Sequence, residues 1–305
     1  MTAASRLNTL LAYCITVCVS CTFGNNQNKP AKDDSLHSGT IIVSVDETLK
    51  PLMEAEATVF QYLYPEAHLR MQYLPEREVL ETFKSDSGRV AILTRELTKE
   101  ELDYFVTIRF NPRSIPFAKD GISLIVNPAF KKDSITVNEL KKLLTSGDEN
   151  KGLSVVFDHA GSSTLRWLKD SLLKSENMGK HCFACDGNLN VIEYVKSHEN
   201  AIGIIGNSWL SDRDDSTVVK TLKTVKRMKL APSDTSEYTE PFQSEIETGR
   251  YPLSRMVYCI QRDGKIGLGT GFQRFLYDEK GQLIVLKSGM MPFRNPERNI
   301  EFKQD

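Results

Sequence analysis

The 305-residue sequence has no excess of either charge sign: 39 Lys and Arg stand against 40 Asp and Glu. A general polyanion binder carries a marked basic surplus, so a nucleic-acid partner is not expected. A disordered acidic chain is excluded for the same reason. No apolar run approaches the roughly 20 residues that a membrane-spanning helix needs. No repeat of short period is visible. Gly267-Leu-Gly-Thr-Gly271 lacks the preceding strand of a βαβ unit and the downstream acid of a dinucleotide site, so it reads as a tight turn into a helix. Neither a cofactor nor a metal is expected. What remains is 40% apolar and 26% charged, ordinary for a globular protein, at a length that suggests two domains or one domain of two lobes.

The N-terminus is of a different kind. One charge, Arg6, precedes a short apolar stretch from Leu10 to Val19, too short to span a bilayer and of the length of a signal-peptide core. Ser20 and Cys21 then lead into a polar run, an arrangement similar to a bacterial lipoprotein signal in which Cys21 is lipidated and becomes the first residue. Residues 1–20 are expected to be the signal peptide and 21–39 a tether without apolar period, with the folded part beginning near Thr40.

From there strand and helix alternate. Thr40–Val45 is a buried-strand run, Leu49–Tyr64 has helical spacing, and the βαβαβα order through Arg109 argues for a mostly parallel sheet covered by helices. Arg113–Ala118 and Gly121–Asn127 read as two extended runs joined by a Lys119-Asp120-Gly121 turn. A second alternating set follows, and a late strand, Met256–Ile260, with helices behind it suggests a return to the first lobe. The expected organisation is lobe 1 at 40–117 plus 256–305, lobe 2 at 118–230, and a return crossover at 231–255. Such an α/β fold, two lobes with two crossover strands, has an inter-lobe cleft that suits a small ligand.

Three strand-to-helix junctions place hydroxyls beside unpaired backbone N–H groups: Asp46-Glu47-Thr48, Thr94-Arg95, and Gly161-Ser162-Ser163-Thr164. Each is an anion site in form, and each is equally an ordinary helix cap. Arg166, in the first turn of a helix, opposes the dipole unless an anion sits there or Asp170 pairs with it.

The segments at 40–56, 90–101, 155–173, 200–212 and 267–276 together resemble the solute-binding lipoproteins related to the phosphate-binding protein of bacterial ABC transporters. The resemblance spans nearly all of residues 40–300. It implies a type 2 periplasmic-binding-protein fold, export with lipid anchoring to a membrane, phosphate or a similar oxyanion held between lobes, and an ABC transporter permease as partner. Its ligand loops fall on Asp46, Glu47 and Thr48, on Thr94 and Arg95, and on Asp158, Gly161, Ser162, Ser163 and Thr164. The third loop departs from the family pattern: the usual Arg and the Asp that senses a protonated phosphate are absent, and Ser163 replaces a Gly. Asp46 or Asp158 could accept the proton of a hydrogen phosphate instead.

Cys182-Phe-Ala-Cys185 could be a redox pair, half of a metal site with His181, or a local disulfide; after export the disulfide is the simplest account. The expected function is therefore non-enzymatic solute capture outside the cytoplasm. The rivals are a thiol-redox enzyme using Cys182 and Cys185, and a divergent scaffold that binds a protein and no small ligand.

Overall fold

A computed structural model describes residues 34–85, 88–145, 152–174 and 176–294. The expected signal peptide, the Cys21 lipidation site and most of the tether lie outside the described residues. Among the described residues, no helix is long and apolar enough to cross a membrane.

The first lobe forms as the sequence pattern dictates. Strand β1 (Gly39–Asp46) runs into a short 3-10 turn and helix α1 (Lys50–Leu63), then β2 (Ala67–Leu74), α2 (Glu76–Lys84), β3 (Val90–Leu93) and α3 (Lys99–Thr107). Strand β1 pairs in parallel with β2 and with β3. Ile41, Val43 and Val45 alternate along β1 onto one face, where Leu52, Met53 and Phe60 of α1 cover them. Ala91 and Leu93 of β3 face the other way, onto Val79 and Phe83 of α2 and Phe105 of α3.

Strand β4 (Arg113–Val126) then crosses to the second lobe as one continuous element. The turn expected at Lys119-Asp120-Gly121 does not form. Turn-forming residues yield here to pairing on both sides: β4 is bonded through Gly121 to a late antiparallel strand, and from Ile122 onward to a strand of the second lobe at Ala201–Gly206. The second lobe adds β5 (Ser134–Thr136), α4 (Val137–Thr145), β6 (Ser154–Phe157), α5 (Ser163–Trp167), β7 (Cys182–Ala184), α6 (Asn188–Ser197) and β8 (Ala201–Gly206). Helix α5 is continued by a π-helix from Leu168 to Leu173. Short helices α7 (Ser208–Ser211), α8 (Ser216–Thr221) and α9 (Gln243–Glu247) enclose β9 (Lys226–Arg227) and β10 (Lys229–Ala231).

The chain returns along β11 (Ser254–Gln261), antiparallel to β3 and β4, and closes the first lobe with α10 (Leu268–Tyr277), α11 (Glu279–Lys287) and β12 (Met291–Pro292). The strand order β2-β1-β3-β11-β4-β8-β6-β7 is thus two sheets sharing β4. Two core clusters flank each sheet, one on either face.

The glycine run that opens α10 has a structural use: only Gly267 precedes the helix, and Gly269 and Gly271 lie in its first turn. The segment at 34–38 lies across the start of α10, and a Cβ on Gly271 would stand 1.8 Å from the Leu36 carbonyl oxygen. Asp34 accepts from the Leu268 backbone N–H at 2.8 Å and pairs with Arg89 at 2.6 Å. The chain is therefore fastened to the first lobe before the start expected at Thr40.

Candidate functional site

The site lies where the ends of β1, β3 and β6 meet the two crossover strands. At the end of β1, Asp46 caps the following turn: its Oδ1 accepts from the Thr48 backbone N–H at 3.1 Å and from the Thr48 hydroxyl at 2.8 Å. At the end of β6, Thr164 donates to Asp158 Oδ1 at 2.6 Å, while the Ser162 oxygen accepts from the Leu165 N–H at the start of α5. The Ser162 and Thr164 hydroxyls are 2.9 Å apart. The two lobes touch where Thr48 Oγ1 and Ser163 Oγ approach to 3.4 Å.

Arg255 of β11 is the centre of this arrangement, and sequence reasoning did not find it. Its side chain is 1% exposed. Two of its nitrogens hold Asp120 Oδ2 at 2.8 and 3.0 Å, while its terminal nitrogens also donate to Ser163 Oγ at 2.7 Å and Thr48 Oγ1 at 2.9 Å. The arginine thus joins a hydroxyl of each lobe from a crossover strand. Reading residues 119–121 as a turn hid Asp120, the buried carboxylate that pairs with Arg255 of β11.

Acids outnumber this cation. Asp46, Asp120 and Asp158 are all buried around Arg255, and Asp46 Oδ2, Asp120 Oδ1 and Asp158 Oδ2 have no hydrogen-bond partner. Burial pushes Asp46 up from 3.8 to about 6, partly offset by Arg255 and reinforced by the like charge of Glu76. Burial also pushes Glu47 up to about 7, opposed by the amide of Asn188, which donates to its Oε2. The first loop is stitched to the second lobe beyond Asn188: Ser208 donates to the Thr48 carbonyl at 2.5 Å and Trp209 Nε1 to the Glu47 carbonyl at 3.3 Å. Gly206 permits this approach, since a Cβ there would stand 2.6 Å from the Thr48 carbonyl oxygen. Among the described residues, no group of three or more His, Cys, Asp or Glu is placed to hold a metal ion.

The second junction is organised differently. Arg95 was expected to face the anion, but its guanidinium is held bidentately by Glu101 at 2.8 and 2.9 Å and donates from Nε to Glu76 at 3.1 Å. Thr94 Oγ1 lies 3.5 Å from the other Glu76 oxygen. Arg166 does pair with Asp170, at 3.3 Å, yet its shorter bond runs to Glu76 at 2.6 Å. Gly161 sits at the rim, its carbonyl accepting from the Arg77 N–H at 3.4 Å. The structure therefore brings Asp46, Thr48, Asp158, Ser162, Ser163 and Thr164 together, and sets Thr94 and Arg95 beside them at Glu76.

Cys182 and Cys185 are free thiols, not the expected disulfide. Cys182 packs with Val155 and Phe157 and Cys185 with Val156, so the two sulfurs belong to opposite faces of one sheet. Burial pushes the Cys182 thiol up to about 11 and raises Cys185 as well. A redox nucleophile needs the reverse, a readily formed thiolate.

Comparison with known proteins agrees with the geometry. A family model described as a PBP superfamily domain matches residues 30–280. The phosphate-binding protein PstS of Pseudomonas aeruginosa is 20% identical over 280 residues, covering 84% of this chain and 83% of that protein. A Clostridium perfringens structure described as a phosphate ABC transporter substrate-binding protein with bound phosphate aligns with a TM-score of 0.70 at 21% identity, over 84% of this chain and all of that one. An ABC-type phosphate transport receptor from Vibrio cholerae aligns at 0.61 and 18% identity, over 83% of this chain and 100% of its own. With a family match over most of its length and the two-lobed architecture described above, the chain belongs to the PBP superfamily and has the type 2 periplasmic-binding-protein fold.

Proposed function

We propose that this protein captures phosphate, or an oxyanion of the same chemistry, between its lobes for an ABC transporter, making and breaking no covalent bond. The observation that carries this reading is Arg255, which meets Thr48 of one lobe and Ser163 of the other at a single point. A tetrahedral oxyanion inserted there takes the same donors. Charge-assisted hydrogen bonds contribute about 1.5–3 kcal/mol each. Four of them, less ordering costs, reach the roughly 8 kcal/mol of a micromolar ligand. The unpartnered oxygens of Asp46 and Asp158 are acceptors, so they favour a ligand that carries its own proton. Phosphate carries one at neutral pH and sulfate does not. The names of the P. aeruginosa and V. cholerae relatives point to the same ligand.

The N-terminal pattern supports an exported protein held to a membrane through Cys21, facing the periplasm or the cell exterior, with a permease as its partner. Calorimetry on residues 22–305 tests the ligand. Phosphate is expected to bind at one site and sulfate about a hundredfold more weakly or worse, because sulfate leaves the carboxylate oxygens facing a proton-free anion. A scaffold that has lost its ligand is the second reading, favoured by four of the five Arg255 N–H donors already being taken by protein partners. It requires that neither anion gives heat or thermal stabilisation.

A further inference from the structure

Glu76 has no place in the ligand reading, yet it is among the most heavily bonded side chains at the lobe junction. It opens α2 in the first lobe, and its side chain is 4% exposed. A single oxygen, Oε1, accepts from Arg95 of its own lobe at 3.1 Å and from Arg166 of the second lobe at 2.6 Å. Arg95 is fixed behind it by Glu101, whose Oε2 also accepts from the Thr98 backbone N–H at the start of α3. Arg166 is fixed on its far side by Asp170 and reaches Thr94 Oγ1 at 3.4 Å. Charges alternate along Glu101, Arg95, Glu76, Arg166 and Asp170, and this line crosses the gap between lobes once, at Glu76–Arg166. Beside that crossing, the Arg77 N–H of α2 donates to the Gly161 carbonyl of the third loop.

We propose that Glu76 is a positioning residue for ligand capture: through Arg166 it latches the second lobe onto the first, and Arg95 with Thr94 serve this latch instead of contacting the anion. The physical case is burial and geometry. Glu76 is 4% exposed and Arg166 25%, and parting them takes from Oε1 the shorter of its two charge-assisted bonds while the one to Arg95 stays. Opening the cleft by the rotation that such two-lobed folds undergo separates this pair. The latch therefore acts on the closed state, which shows in ligand release more than in encounter.

The inference rests on the proposed capture of an oxyanion, but part of its test needs no ligand. In the purified full-length protein, Arg166→Gln cuts the crossing while leaving Glu76 paired to Arg95. Without phosphate, this variant is expected to raise hydrogen exchange at the Arg77 amide about tenfold or more, with the rest of α2 unchanged. With inorganic phosphate, stopped-flow kinetics are expected to show release faster by about tenfold to a hundredfold, the worth of one charged hydrogen bond, at an association rate within about twofold of the parent. Arg166→Lys should recover part of that loss. Glu76→Gln should weaken phosphate in the same way, and the double variant should be no weaker than the worse single one. Two results overturn the latch. Glu76→Gln binding phosphate more tightly would make Glu76 a competing anion, and unchanged Arg77 exchange and release in Arg166→Gln would make the pair idle. If phosphate fails to bind at all, the Arg77 exchange still decides the latch, and only the proposed ligand is lost.

Discussion

Asp46 offers the most quantitative handle on the site. Its carboxyl titrates near 3.8 in an unfolded chain and at about 6 when folded, because burial disfavours the charge more than Arg255 favours it. The folded state therefore holds its proton more tightly than the unfolded one. Its contribution is fully present below pH ~4 and is lost as pH rises to about 6. At about 1.36 kcal/mol per pH unit, the loss is about 3 kcal/mol. Glu47, raised to about 7, acts in the same direction over a slightly higher window. Glu101 and Glu139, both held below their ordinary range, act oppositely, but only below about pH 4.5. Asp46→Asn retains the oxygen that accepts from Thr48 and cannot ionise. It leaves an amide where Oδ2 had no partner, a defect of about 1–3 kcal/mol independent of pH. Ligand-free thermal melts of both proteins between pH 4.5 and 8 measure the difference. The parent should lose stability with rising pH, Asp46→Asn should lose about 2 kcal/mol less because about 1 kcal/mol of the total is already gone at pH 4.5, and the gap between their midpoints should change by about 4–8 °C across the range. Parallel curves, or a parent that becomes more stable from pH 4.5 to 7, would refute the reasoning.

Other substitutions test separate links. Arg255→Gln leaves Asp120 buried without its partner and should destabilise the fold by about 3–5 kcal/mol, with phosphate binding abolished; Asp120→Asn in the same chain should restore part of the stability and none of the binding, read by denaturant melts and calorimetry. Gly271→Ala drives a methyl into the Leu36 carbonyl and should cost about 1–3 kcal/mol, with hydrogen exchange rising at the Leu268 amide that Asp34 caps. Cys182 and Cys185 should both react with a thiol reagent after unfolding in the absence of reductant, and intact mass should show no loss of two hydrogens.

Much of the fold was legible because its strands are short, buried and separated by amphipathic helices. The apolar runs Thr40–Val45 and Met256–Ile260 fall within β1 and β11, and α1 lies within the helical spacing of Leu49–Tyr64. The exceptions are places where tertiary pairing overrules local preference. Lys119-Asp120-Gly121 is turn-like in isolation but is extended between two partner strands in β4. Cys182-Phe-Ala-Cys185 looked like a loop staple, whereas pairing with β6 draws Cys182–Ala184 into an edge strand and turns the sulfurs apart. The hydroxyl loops were visible as strand-to-helix junctions, since capping residues announce themselves locally. Arg255 and Glu76 were not. A buried arginine in a strand and an acid opening a helix reveal their roles only through Asp120, Arg95 and Arg166, which lie far away in sequence. A charged residue directly before the apolar run Met256–Ile260 was the one available signal.

The central claim is that the Arg255 centre takes a phosphate between Thr48 and Ser163. A crystal structure of the protein grown with phosphate tests it most directly. Tetrahedral density should lie between the two hydroxyls, within hydrogen-bond distance of Arg255, with Asp46 or Asp158 facing one of its oxygens. Arg255 still bonded to both Thr48 and Ser163 at saturating phosphate, with no density between the lobes, would contradict it.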